Sequence, residues 1–222
     1  MSTSEAAPDI DLESTRSIHV VGVGGAGMRA IARVLLAMGH DVRGSDRASS
    51  VYLEELDALG ASVHVGHAPE SLTTVDMVTR STAVPDTDPE VMAATAAGIP
   101  VYSRADMLAA ITARRPGILV AGTHGKTTTS SMLAVVLDHA GRDPSFVIGS
   151  DVARFGTGAR WSTSDLFVVE ADESDGTFLR LPGAHAIVTS LDPDHLEYYG
   201  SCLLYTSPSP RDATLSRMPS SA

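Results

Sequence analysis

The sequence predicts an α/β protein, a Rossmann-like parallel-sheet N-terminal domain followed by a truncated P-loop-type α/β ATPase domain. Three observations carry that expectation. A strand pattern runs into GxGxxG at residues 18–28. Strand and helix patterns then alternate to about residue 113, which implies a parallel sheet wrapped by helices. A second glycine-rich turn, Gly122-Thr123-His124-Gly125-Lys126-Thr127-Thr128, separates an apolar strand-like run at 117–121 from helix-compatible apolar spacing at 130–137.

In the first half, the glycines Gly22, Gly24, Gly25 and Gly27 lead into a predicted helix at 29–38. Asp46 follows Gly27 by 19 residues, at the end of a predicted strand at 41–45. That spacing is the dinucleotide-fold fingerprint: glycines bring the backbone to a diphosphate, and the acidic residue reaches a ribose hydroxyl. It does not say which nucleotide. Helices are expected at 52–59, 89–97 and 104–112, and strands at 61–65, 75–79 and 99–102. In such sheets ligands collect at the carboxyl ends of the strands. His67 and Ser81 fall just past two of those ends, and Arg104 opens a helix after a strand, so each is a candidate contact to a base or a phosphate.

Arg114-Arg115-Pro116-Gly117 breaks the helical pattern and marks the domain boundary. Beyond it, the glycines of the second turn let backbone N–H groups approach phosphate oxygens at a helix N-terminus, and Lys126 adds a full charge. Thr127, directly after the lysine, is placed to put its hydroxyl on a magnesium ion. The turn departs from GxxxxGK[ST] in carrying Val120 where that pattern has glycine. Strands are expected at 145–148, 165–170 and 185–190. At and just past the end of the second of these stand Glu170, Asp172, Glu173 and Asp175, and like charges so gathered repel unless a cation offsets them. Glu170, at the strand end, suits a magnesium-binding carboxylate. His195 follows a strand expected to lie beside that of Glu170, and is a candidate for a second metal or a transferring phosphoryl oxygen.

Composition narrows the classes. With 27 acidic against 16 basic residues, a formal charge of −11 argues against a protein that neutralises nucleic-acid backbone. The first 17 residues lack the apolar core of a signal peptide, and no run of about 18 apolar residues occurs, so a cytoplasmic protein without membrane insertion is expected. A single cysteine, Cys202, excludes an internal disulfide. From Cys202 to Ala222 the chain is rich in Ser and Pro without period, and reads as a non-native or disordered tail. The expected division is a disordered N-terminus at 1–16, a nucleotide-binding domain at 17–113, an incomplete ATP-binding domain at 114–200, and the tail at 201–222. About four strands and one long helix would leave one face of the second sheet bare, so that domain is expected to be poorly stable alone.

The segments IHVVGVGGAGM at 18–28, GSD at 44–46, AGTHGKTTT at 121–129, EADESD at 170–175 and DPDH at 192–195 together resemble the Mur ligases, in that family's order. Ser190 stands where the family commonly has asparagine. The resemblance implies that the first domain holds the UDP part of UDP-N-acetylmuramate rather than NAD. Gly22, Gly24, Gly25 and Gly27 would face the diphosphate, Asp46 the ribose and His67 the uracil. It implies ATP on residues 122–128, with Lys126 and His195 serving the chemistry and Mg2+ on Thr127, Glu170 and His195. The implied reaction joins L-alanine to the sugar's carboxylate through an acyl phosphate, in peptidoglycan precursor synthesis. Because the family has three domains and this chain reaches only into the second, the fragment is expected to be inactive by itself. A UDP-sugar- and ATP-binding module without turnover is one alternative. A nicotinamide-dependent oxidoreductase is another, and it leaves Lys126, Thr127 and the acidic cluster unexplained.

Overall fold

The computed structural model describes residues 10–172 and 177–191. His195, Glu173 and Asp175 lie outside them, as does the tail. The first sheet is built from β1 (Ser17–Val21), β2 (Asp41–Asp46), β3 (Ser62–Val65), β4 (Met77–Arg80) and β5 (Val101–Ser103). Its order is β3-β2-β1-β4-β5, parallel throughout. The connections contain α1 (Ala26–Ala37), α2 (Val51–Ala58), a 3-10 turn at Pro69–Thr74 and α3 (Pro89–Ala96), and α4 (Arg104–Ala113) follows β5. The order reverses between β1 and β4, which opens a crevice past their carboxyl ends.

Local chemistry fixes the helix starts. Asp88 caps α3 by accepting the Glu90 amide at 3.0 Å, with Pro89 in the first turn, where its missing N–H costs nothing. Ser103 and Asp106 form a reciprocal capping box at α4, the Asp106 amide reaching Ser103 Oγ at 3.2 Å and the Ser103 amide reaching Asp106 Oδ2 at 3.1 Å.

The second sheet contains β6 (Gly117–Ala121), β7 (Ser145–Val152), β8 (Thr157–Arg160), β9 (Phe167–Glu170) and β10 (His185–Val188), in the order β10-β6-β9-β7-β8. The long helix α5 (Lys126–His139) follows β6. β8 pairs antiparallel with β7 and the rest are parallel. Three expectations need correction. The hairpin strand β8 carries Gly158 and the charged Arg160, and has no apolar run to announce it. β10 lies beside β6 rather than beside the Glu170 strand, because β9 is already paired on its two edges with β6 and β7. The expected disordered N-terminus does not extend over residues 10–16: Ile10 and Leu12 are buried in the main apolar cluster.

β9 shows how the two halves join. Val168 points to α5 with Val120, Ala134, Phe146 and Ile148. Phe167 and Val169 point the other way, into the cluster that holds Ile31 and Leu35 of α1 and Met107 and Ile111 of α4. The face expected to be bare is therefore covered by helices of the first half, and the two sheets share one core. Polar contacts run along the same seam, with Arg29 Nη2 at 3.2 Å from Asp151 and Arg180 Nη1 at 2.5 Å from Asp106.

Candidate functional site

Two loop clusters at strand ends concentrate the candidate residues. The first surrounds a cavity of about 230 Å³ in the crevice between β1 and β4. Gly22, Gly25, Asp46, His67 and Ser81 line it, each from a segment just past β1, β2, β3 or β4 or at its end. Gly24 and Gly27 are not among the residues that line it. The Gly24 amide donates to Asp46 Oδ2 at 2.9 Å, and Asp46 Oδ1 accepts the Ala48 amide at 3.2 Å, so the carboxylate also ties its own loop to the glycine turn. Gly27 lies inside α1, which begins at Ala26, earlier than its apolar spacing suggests. A β-carbon at Gly27 would come within 3.2 Å of Arg104 Cδ, so glycine lets the α4 arginine lie against α1.

Arg104 is not in the cavity wall. Its guanidinium reaches across the seam to Asp172 Oδ2 and Thr177 Oγ1, both at 3.4 Å. It sits between the first glycine loop and the end of β9.

The second cluster is the loop from β6 to α5. Gly122 has φ +126° and Gly125, the residue before the helix, φ +81°, conformations that favour glycine. A β-carbon at Gly122 would also meet the Ser190 amide nitrogen at 2.8 Å. The end of β10 packs here: Ser190 Oγ accepts the His124 amide at 2.9 Å, and Thr189 Oγ1 donates to the carbonyls of Ala121 at 3.1 Å and His124 at 2.5 Å. Lys126 Nζ donates to the Gly122 carbonyl at 2.8 Å and the Thr123 carbonyl at 3.3 Å, which keeps the ammonium over the loop. Lys126 is the chain's one lysine.

At the second residue of α5 the Thr127 hydroxyl donates to Glu170 Oε1 at 2.7 Å, and Oε2 of the same carboxylate accepts the Gly149 amide at 2.7 Å. Thr128 follows in the first turn of α5. The acidic cluster thus divides, Glu170 serving the loop and Asp172 serving Arg104. Thr127 and Glu170 offer hard oxygen donors, a set that suits magnesium, while the helix N-terminus beside them favours an anion.

Sequence reasoning missed several residues of the first cluster. Asp88 lines the cavity with His67, and buried Glu90 stands directly behind. Asp88 before Pro89 reads as a helix cap, but nothing in the pattern reports that Glu90, in a first helical turn where acids are common on the surface, points inward.

Two largely parallel α/β layers, each with a glycine-rich turn at its strand ends and one of them pairing lysine, threonine and a strand-end carboxylate, mark the nucleotide-binding class of α/β protein. Comparison with known proteins carries this further. Residues 17–116 match the Mur ligase family, catalytic domain, and residues 120–207 match the Mur ligase middle domain. The chain is 52% identical over 185 residues to UDP-N-acetylmuramate–L-alanine ligase of Laribacter hongkongensis, covering 83% of this chain and 39% of that one. To the protein of the same name in Thermobifida fusca it is 48% identical over 200 residues, 90% of this chain and 42% of that one. Among solved structures it resembles the UDP-N-acetylmuramate-alanine ligase of Thermotoga maritima, with TM-score 0.79 and 32% identity over 86% of this chain and 45% of that one. The Neisseria UDP-N-acetylmuramate:L-alanyl-gamma-D-glutamyl-meso-diaminopimelate ligase has the same TM-score, at 31% identity over 86% and 65%. The chain belongs to the Mur ligase family. It spans about two fifths of the length of the curated relatives it matches.

Proposed function

We propose that this chain carries the UDP-N-acetylmuramate site and the ATP loop of a ligase that joins L-alanine to that sugar in peptidoglycan precursor synthesis, serving cell-wall biogenesis, cell shape and division. The observation that carries the reading is the Lys126–Thr127–Glu170 arrangement, a cation and a hydroxyl–carboxylate pair at a glycine-lined helix start. The choice of L-alanine rests on the relatives near 50% identity, since the two solved structures at equal TM-score are named for different added groups. Cytoplasmic location fits a UDP-sugar substrate, and among the described residues no helix is long and apolar enough to cross a membrane.

In this reading the cavity past β1 and β4 takes the uridine diphosphate, with Gly22 and Gly25 toward the diphosphate, Asp46 toward the ribose, and His67 and Ser81 on the opposite wall. ATP lies on residues 122–128. The sugar's carboxylate attacks the γ-phosphorus, ADP leaves, and the amine of L-alanine then displaces phosphate from the acyl phosphate. A carboxylate must approach a triphosphate of the same sign. Lys126 offsets that repulsion and the charge that develops in transfer. Thr127 and Glu170 would hold a magnesium ion, which would supply positive charge against the phosphates. Arg104, between the two clusters, is placed to hold an anionic group of the sugar nucleotide against the seam.

Calorimetric titration of the chain tests this. Saturable binding of UDP-N-acetylmuramate and of Mg·ATP, each lost on mutating its own cluster, is the expected result. Binding of NADH with no binding of UDP-sugar would overturn it in favour of an oxidoreductase. L-Alanine-dependent ADP release separates a complete ligase from a binding portion of one.

A further inference from the structure

We propose that Asp88 and Glu90 fix the tautomer of His67, with the proton on Nδ1 and the lone pair of Nε2 left for the cavity, so that this wall accepts the imide N–H of a uracil and rejects a cytosine. The inference rests on the reading of the cavity as a uridine diphosphate pocket, and adds to it the residues that set the choice of base.

Two carboxylates face one nitrogen of the His67 ring. Nδ1 lies 3.6 Å from Asp88 Oδ2 and 3.9 Å from Glu90 Oε2, and the side chains of Asp88 and Glu90 are 2% and 0% exposed. Both carboxylates are locked in place. Asp88 Oδ1 accepts the Glu90 amide at 3.0 Å, Glu90 Oε1 accepts the Ala68 amide at 3.1 Å, and Glu90 Oε2 accepts the Ser45 hydroxyl. On its far side Glu90 meets His19 Nε2 at 3.3 Å and His64 Nε2 at 3.4 Å, two rings stacked at 6.0 Å. The negative charge therefore cannot swing away from His67 without breaking contacts to β1, β2 and the segment after β3.

A neutral imidazole carries its proton on one nitrogen and a lone pair on the other. Negative oxygens beside Nδ1 favour the proton there, and a carboxylate behind a histidine fixes its tautomer in the same way at other sites. Nε2 is then an acceptor. N3 of uracil bears a hydrogen and N3 of cytosine bears a lone pair, so a single ring nitrogen distinguishes them. A partner left facing a lone pair loses the hydrogen bond and keeps the desolvation cost, which is the route by which polar sites discriminate strongly.

Asp88→Asn tests the device with little change in shape. Asparagine caps a helix as well as aspartate, so Oδ1 keeps the Glu90 amide. Its amide N–H group replaces the Oδ2 charge and turns a positive edge toward Nδ1 3.6 Å away, which shifts the His67 proton to Nε2. Titrating the full chain with UDP and with CDP should show UDP preferred by about 10-fold or more, and the variant should lower that ratio by about 10- to 100-fold. Long-range 1H–15N NMR of the imidazoles should find wild-type His67 protonated at Nδ1 and the variant at Nε2. An unchanged UDP:CDP ratio in a folded variant, or a wild-type His67 protonated at Nε2, would overturn the proposal while leaving the uridine pocket standing; the second readout needs no variant. Failure of wild type to bind either nucleotide would refute the pocket reading itself.

Discussion

Glu90 is the group on which acid stability of the first half should turn. Burial by itself would raise its pKa; His19, the Ser45 hydroxyl and the Ala68 amide outweigh that and hold it down at about 2, against the usual 4.5. At 1.36 kcal/mol per pH unit the difference corresponds to about 3 kcal/mol of stability. The sign follows from which state takes the proton first. Above about pH 4.5 the carboxylate is ionised in both folded and unfolded chains, and the contribution is complete. As pH falls from 4.5 toward 2 the unfolded chain binds a proton that the folded chain refuses, and the contribution drains away. By pH 3 about 2 kcal/mol of it should be gone.

Glu90→Gln isolates this effect. Asp11 and Asp138 also titrate below their usual value, through the Glu13 amide with Arg16 and through Arg154 with Arg160 respectively, but those contacts are common to both proteins and cancel in the difference. Urea denaturation of wild type and variant at pH 7, 5.5, 4 and 3 is the assay. Wild type should be more stable at pH 7 by about 3 kcal/mol, and the gap should close by about two thirds at pH 3. A gap that stays constant from pH 7 to pH 3 would refute the assignment of a buried, ionised Glu90.

Further expectations can be checked separately. Because Lys126 is the one lysine, amine acetylation followed by peptide mass spectrometry reports on the proposed ATP loop without mutagenesis; Mg·ATP at ten times its Kd should slow labelling of Lys126 by about 10-fold, and no protection would place the nucleotide elsewhere. In a ligase carrying this site, Lys126→Ala should lower turnover by about 10²-fold or more, and near-normal turnover would remove its role in the chemistry. Thr127→Val keeps the shape of the first turn of α5 but strips the hydroxyl from Glu170 Oε1; Mg·ATP should bind about 10-fold more weakly, with UDP binding unchanged by the same titration. Phe167→Ala empties a fully buried site packed edge-on against Trp161 and should cost about 3–5 kcal/mol, with both halves melting in one calorimetric transition. Two separate transitions would contradict a shared core.

How much of this was legible beforehand differs between the two clusters, and for a physical reason. The loop from β6 to α5 is local: strand, glycines, lysine, threonine and helix follow one another within thirteen residues, so spacing reports the backbone geometry that phosphate would require. The family's glycine loop and Asp46 are legible for the same reason, and the parallel α/β architecture follows from the alternation between them. Contacts made through the sheet are not local. Nothing in the segment around Glu90 announces that β1, β2 and the turn after β3 will supply His19, Ser45 and the Ala68 amide around it, because a strand's neighbours are set by sheet order and not by sequence distance. The misplacement of β10 has the same origin: its own pattern says strand, and only the occupancy of both edges of β9 sends it to β6.

The expectation of a bare sheet face fails for a related cause, and here the chain's own pattern held a clue. Phe167, Val168 and Val169 are three consecutive fully buried apolar residues, whereas a strand covered on one face alternates apolar with polar. A continuous apolar strand demands a layer on each side. α5 supplies one, and among the described residues between 140 and 191 there is no second long helix to supply the other, so the cover comes from the first half. α1 meets that demand: Ile31 and Leu35 pack toward β9, while Arg29 on the same helix pairs with Asp151 at the end of β7. The glycine loop that opens α1 and the carboxylate that closes β9 are thereby fixed relative to one another through a single packed layer. That is what the proposed reaction, between a sugar nucleotide in one sheet's crevice and a triphosphate at the other's, would require.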